Sequence, residues 1–385
     1  MKTKLISILL PIICGLTVAN MYYIQSIVPV VMKDINISYN MASMIYTISL
    51  IGNLTALIFI TPLGDFIDRK KLISKLFVLL FLSNLALFFS TNIYIIYTCA
   101  YFLGFGICII PITIAYLSTK PEFGIGFIGK IMSGVLLGAL ISRFLSSVFS
   151  STWGWSSIYL FSSIMMLISS ISINFLLPKD SKEPKLKSEF NYLKLILNTL
   201  IFLIKDKNVR RFSIYGFMIM VIFAAFWNNI SIYLSQSYDF NQIDIGLFSL
   251  TGVAGATSAM FSNKILKKLN YNGEYLFIIL SITFVGLIFI GKSIILFALA
   301  SIIIDAMIQL THVNNQANIY KDCKGNESRA ASCYMTLFIL GGIFGAKVSS
   351  YFYIKNGWIS ICVMCSIISV LCFISFLKFK KQKIA

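Results

Sequence analysis

Apolar runs of about twenty residues follow one another along nearly the whole chain, separated by short polar breaks. A helix of that length crosses ~30 Å of hydrocarbon. The breaks place twelve spans at roughly 5–32, 41–62, 72–91, 93–119, 127–150, 156–178, 211–235, 243–265, 272–291, 293–317, 330–353 and 357–378. A transmembrane strand alternates apolar and polar over ~10 residues, and these runs do not, so the pattern predicts helices rather than a β-barrel. The opening "MKTKLISILLPIICGLTVAN" has the basic end and apolar core of a signal peptide. Its apolar stretch continues through Tyr22, Ile24, Ile27 and Val31, too far for a cleaved segment, and reads as the first span.

The longest break divides the spans into two sets of six. This predicts an N-terminal bundle over 1–178, a cytoplasmic linker over 179–210 and a C-terminal bundle over 211–385. In the linker, Asn191, Lys194, Asn198 and Lys205 fall at helical spacings on one face, opposite Leu, Ile and Phe. That pattern suits an amphipathic helix lying in the membrane interface. The two halves also repeat. Gly154-Trp155 matches Gly357-Trp358, Gly138 matches Gly341 at the same offset of 203, and the charged stretch 62–73 falls on "NKILKKLN". Two six-helix halves in parallel repeat are a known transporter plan. The expected fold is therefore an all-α integral membrane protein of twelve transmembrane helices in two parallel-repeat six-helix bundles.

Composition agrees: 58% of 385 residues are hydrophobic and 12% charged, where soluble domains carry about a quarter. The net charge of +18 needs no nucleic-acid partner. With both termini cytoplasmic, 27 of the 32 Lys and Arg lie on the inner side, while Lys33, Lys292 and Lys355 lie outside and Arg143 and Lys347 within spans. The positive-inside rule then predicts a multi-pass protein of the cell (inner) membrane with cytoplasmic termini. Most of the eight cysteines, including the pair Cys362 and Cys365, lie in apolar runs, where Cys packs as a small apolar residue. A single histidine rules out a His-rich metal site, and no G-x-x-x-x-G-K-[ST] loop for nucleotide occurs. The sequence predicts no metal, no cofactor and no enzymatic activity. Expected partners are the lipid bilayer, a small-molecule substrate and H+, with the chain acting as a monomer.

Charges within spans are costly and mark function or pairing. Of fourteen acidic residues, Asp305 alone falls near the middle of a span. Asp305, Gln309, His312 and Gln316 are spaced 4, 3 and 4, on one face of the tenth helix. An acid and an imidazole on one stripe can carry a proton; the other reading is a static network with Asp305 paired to Lys347. Arg143 follows Gly134 and Gly138, which with Ser142 make a small-residue face for close helix packing. An arginine there suits a carboxylate or anionic solute, or an equally plausible structural pairing.

The stretch "PLGDFIDRKKLI" (62–73) joins the second and third spans. It resembles the signature loop of the major facilitator superfamily, with Leu63, Asp65, Arg69 and Lys70 matching and Thr61, Phe66 and Asp68 departing. "ANMYYIQSIVP", "GKIMSGVLLGALISR", "IDAMIQLTHVNNQANIY" and "YMTLFILGGIFGA" are similar to helices 1, 5, 10 and 11 of a bacterial twelve-helix, drug-efflux-like subgroup. The resemblance implies alternating access and a gating role for Asp65, Arg69 and Lys70. It implies helix packing by Gly134, Gly138, Gly341 and Gly345. It also implies a central cavity lined by helices 1, 4, 7 and 10, and so by Asn20, Tyr23, Gln25, Trp227, Asn228 and Asn229. Tyr22 and Trp227 can equally anchor at the interface. Two positions depart from the antiporter pattern: Ala100 stands where helix 4 has Arg, and Ala139 where helix 5 has Pro. The implied function is a secondary transporter, a proton-coupled efflux antiporter for a small organic solute. The alternatives are a proton-coupled importer of a sugar- or nucleoside-like nutrient and a polytopic membrane protein that transports nothing.

Overall fold

The computed structural model describes residues 2–65, 67–117, 125–177, 201–262, 265, 273–289, 293–322 and 327–384. The elements are α1 (Lys2–Asp34), α2 (Tyr39–Phe59), a 3-10 turn (Pro62–Asp65), α3 (Arg69–Phe89), α4 (Ile93–Phe105), α5 (Ile109–Leu117), α6 (Ile125–Trp153) and α7 (Ser157–Leu176). They continue as α8 (Lys207–Ser237), α9 (Gln242–Ser249), α10 (Val253–Met260), α11 (Glu274–Phe289), α12 (Ile294–Asp322) and α13 (Glu327–Ile384).

Among the described residues, nine helices are long and apolar enough to cross a membrane. Four expected spans depart from a single regular helix. The fourth is divided into α4 and α5 by a 3-10 turn at Gly106–Cys108, and the eighth into α9 and α10 by another at Leu250–Gly252. The eleventh and twelfth run together as α13, which leaves helical geometry at Gly357 (φ 66°, ψ −162°). The predicted interfacial helix of the linker falls mostly in 178–200, outside the described residues.

The chain forms two compact units, Met1–Asn191 with Asn241–Ser249, and Tyr192–Phe240 with Leu250–Ala385. In the first, α1 and α6 run side by side in close contact. A Cβ at Gly134 would lie 2.2 Å from Pro11 O, and one at Gly138 2.1 Å from Gly15 O. In the second, α8 meets the first arm of α13 in the same way, with Gly341 against Phe217 O (2.2 Å) and Gly345 against Val221 O (2.6 Å). Lipid is as apolar as Leu, so such helices gain by packing and hydrogen bonding rather than by burial, and small residues permit the approach. Segment α9 completes the first unit. Gln242 Nε2 donates to Ser26 O (2.7 Å) and Ser147 Oγ (3.1 Å), binding α9 to α1 and α6.

The offset of 203 recurs in local geometry. Among the described residues the four with left-handed backbone are Asn36 (φ 52°), Asp239 (φ 54°), Gly154 (φ 87°) and Gly357 (φ 66°), two pairs each 203 apart. Ser157 Oγ donates to Gly154 O and Phe149 O, and Ser360 Oγ to Gly357 O and Phe352 O. Ser38 Oγ accepts from Met41 N at the start of α2, and Asn241 Oδ1 from Asp244 N at the start of α9. Each half is thus punctuated by the same caps and turns, because the residues that satisfy free helix ends recur in register.

Candidate functional site

In the second unit, α12 carries Asp305, which is 2% exposed. The indole of Trp227 on α8 donates Nε1–H to Asp305 Oδ1 at 3.0 Å. On the other side lies Gly255 of α10, where a Cβ would stand 2.0 Å from Asp305 Oδ2 and 3.0 Å from Gln309 Cγ. Asp305 and Gln309 therefore occupy a slot opened by the missing side chain at Gly255. The rest of the predicted stripe turns elsewhere. His312 Nδ1 lies 2.9 Å from Tyr334 Oη and its ring stands 4.4 Å from Phe338, both on α13. Gln316 Nε2 reaches Met335 Sδ at 3.8 Å. One face of the helix thus serves two neighbours, α10 above and α13 below. Lys347 is exposed on α13.

In the first unit, Arg143 is 3% exposed on α6. Its Nε donates to Gln25 Oε1 at 2.8 Å, and its guanidinium lies 5.3 Å from the Tyr22 ring. Ser26 Oγ donates to Arg143 O at 2.8 Å and pairs with Ser146 Oγ at 2.7 Å. Beside them the buried Tyr46 hydroxyl faces the Gln25 side chain. Tyr46 on α2 was not singled out by sequence, since one tyrosine in an apolar run looks like packing.

The predicted cavity residues are all buried, each by less than 4% exposure. Asn20 Oδ1 accepts from Asn84 Nδ2 (2.8 Å) and Ser162 Oγ (2.7 Å), joining α1, α3 and α7. Asn228 Nδ2 donates to Ser350 Oγ (3.0 Å) and Asn229 Nδ2 to Ser349 Oγ (2.8 Å), joining α8 to α13. Tyr23 borders an open groove of about 730 Å³ along the seam of α1 and α6, lined by Ser7 and Gly15 from α1 and Ser133 and Ser142 from α6, with Ile8, Ile12, Leu137 and Ile141 exposed along it. That volume lies within the range of small-molecule sites.

The charged loop has a local role. Asp68 caps α3, its Oδ1 accepting from Lys71 N at 3.1 Å. Arg69 Nη1 donates to Ala115 O (2.9 Å) in the last turn of α5, and Lys70 Nζ to Leu177 O (2.7 Å) just beyond α7. Helix ends leave carbonyls unsatisfied and carry partial negative charge, and both cations meet that need. The side chain of Asp65 lies outside the described residues. An aspartate directly before a helix is a recognised cap signal, legible at Asp68 without the structure.

Apolar helices of membrane-spanning length, joined by small residues and buried amides, define a multi-pass helical membrane protein. The family model of the Major Facilitator Superfamily matches residues 12–323. The chain belongs to that superfamily and is a transporter rather than an enzyme. It is 26% identical over 364 residues to the putative uncharacterized transporter YgaY of Escherichia coli K12, covering 92% of this chain and 91% of the relative. It is 24% identical over 249 residues to the inner membrane transport protein YnfM of the same strain, covering 63% of this chain and 58% of the relative. Among solved structures, a point mutant of the nucleoside transporter NupG superposes with a TM-score of 0.80 at 13% identity, covering 97% of this chain and 99% of NupG. A bacterial homologue of the lysosomal transporter Spinster, inward-facing and unoccupied, superposes at 0.70 with 11% identity, covering 98% and 94%. These likenesses show the fold.

Proposed function

We propose that the chain is a proton-coupled antiporter exporting a small organic solute by alternating access. The observation that carries this reading is Asp305: a carboxyl 2% exposed inside a span, hydrogen-bonded by Trp227 and packed against Gly255. A charge buried there is expensive unless its protonation changes with conformation, and that dependence couples a proton to solute movement. The groove along the α1–α6 seam would take the apolar body of the solute, with Tyr23 at its wall. Gln25 Nε2, Tyr46 Oη and Arg143 would meet its polar end.

In this reading α13 counts as two spans, and Tyr275–Phe289 and the interrupted stretch 242–260 as one each, so that the nine become twelve in two bundles of six joined by the 179–210 linker. The distribution of lysine supports cytoplasmic termini and a location in the inner membrane. Asp65, with Arg69 and Lys70 at the helix ends they hold, forms the gate of that side.

The test is transport in proteoliposomes under an imposed pH gradient with a panel of organic compounds, comparing wild type with Asp305→Asn. A wild type that accumulates solute against the proton gradient, and a variant that only equilibrates it, is the expected result. Transport indifferent to the gradient in both proteins overturns proton coupling, and equal accumulation by both removes Asp305 from it.

A further inference from the structure

At one membrane end of the second unit, the first two turns of α8 and the last turns of α13 enclose a cavity of about 570 Å³. Four cations line it: Lys207, Arg210 and Arg211 from α8 and Lys378 from α13. The floor is apolar, with Ile214 and Leu371 both open to the exterior at 44% and 60% exposure. At 1.5 Å of rise per residue, Ile214 and Leu371 each lie about 10 Å deeper along their helices than Lys207 and Lys378. Lys207 is the first residue of α8, and Lys378 opens the basic run Lys378, Lys380, Lys381 and Lys383 that follows the last apolar stretch of the sequence. Charge stands at the membrane surface, and grease stands beneath it. The walls are held together away from the opening, where Tyr215 Oη and Ser375 Oγ lie 3.2 Å apart and the Tyr215 ring stacks on Phe376 at 5.2 Å. The nearby carboxylate, Asp206, is turned to the helix, its Oδ1 accepting from Asn208 N and Val209 N at 2.9 Å each. It caps α8 and leaves the cavity strongly positive.

We infer that this cavity is a binding site for an anionic phospholipid, the phosphodiester held by Arg210, Arg211 and the two lysines and the first acyl segment lying along Ile214 and Leu371. Guanidinium groups offer forked donors that suit phosphate oxygens. Basic pockets between spans at a membrane surface are suited to such headgroups. A soluble phosphate would use the cations but leave the apolar floor uncovered, so the lipid is the better match.

The experiment uses the full chain purified in neutral detergent, with its thermal midpoint followed while phosphatidylglycerol, phosphatidylcholine or inorganic phosphate is added. Phosphatidylglycerol should raise the midpoint saturably and the other two should not. Arg210→Gln with Arg211→Gln should weaken the apparent affinity about five-fold per cation removed, whereas Lys71→Gln with Lys75→Gln, on α3, should leave it unchanged. Lys378→Gln, exposed on the opposite wall, should show a single-cation loss and serves if the arginine double variant does not fold. An equal response to phosphatidylcholine, replacement of the lipid by inorganic phosphate, or unchanged affinity in both pocket variants overturns the inference.

Discussion

Trp227 Nε1 and Asp305 Oδ1 meet at 3.0 Å, tying α8 to the middle of α12. The indole donates, the carboxyl accepts, and Gly255 on α10 closes the slot from the far side. Three helices of the second unit are therefore read out at one acidic group.

Trp227→Phe keeps the aromatic bulk and removes the donor. It should cost about 1–2 kcal/mol of stability and weaken the dependence of solute accumulation on the pH gradient. Thermal melts and gradient-driven transport in proteoliposomes check the two effects separately.

Gly255→Ala should act on Asp305 from a distance of one helix. The added Cβ would sit 2.0 Å from Oδ2 and force the carboxyl out of its place. The variant should fold, since the far end of a side chain can shift, yet lose gradient-driven accumulation as fully as Asp305→Asn. Transport assays with both variants side by side decide this.

Gly138→Leu should be far more disruptive, because its neighbour is backbone: a Cβ lies 2.1 Å from Gly15 O. Separating α1 from α6 should cost at least 1–3 kcal/mol. Gly129→Ala, on the same helix with nothing within 4 Å, should be neutral or stabilise by up to about 1 kcal/mol. Thermal midpoints of the two variants give the contrast.

Gly154→Ala and Gly357→Ala should each cost about 1–3 kcal/mol, from positive-φ backbone alone. Neither position has a neighbour within 4 Å of a new Cβ, so packing contributes nothing. Matching losses in thermal unfolding would show that the two halves use equivalent turns.

Asp68→Ala should cost about 1 kcal/mol through loss of the α3 cap. Lys70→Met should add a smaller loss by freeing the carbonyl of Leu177. Urea or thermal denaturation of the single and double variants checks both, and near-additive losses are expected because the two contacts share no partner.

Much of the architecture was legible in the residues. Gly154-Trp155 and Gly357-Trp358 announced the repeat, and the structure extends it to Ser157 and Ser360, whose weak individual signals no pattern would select. The interruptions at Gly106–Cys108 and Leu250–Gly252 were not legible, since hydropathy measures apolar content and not hydrogen-bond geometry. Asp305 stood out because a charge in an apolar run is conspicuous. Gly255 and Tyr46 did not, because their importance comes only from what lies across from them.

The sequence by itself determined that this is a helical membrane protein built of apolar helices long enough to cross a bilayer, and its two Gly-Trp pairs marked the paired turns at Gly154 and Gly357. Those properties depend on transfer of each segment into lipid and on capping by near neighbours, both local. Only the tertiary structure decided that Asp305 belongs with Trp227 and Gly255 while His312 belongs with Tyr334, although all lie on or face one stripe of α12. It also decided that Asn20, Asn228 and Asn229 are engaged by neighbouring helices. Inside a membrane a polar side chain must find its partner within the protein, and helix spacing does not say which neighbour will supply it.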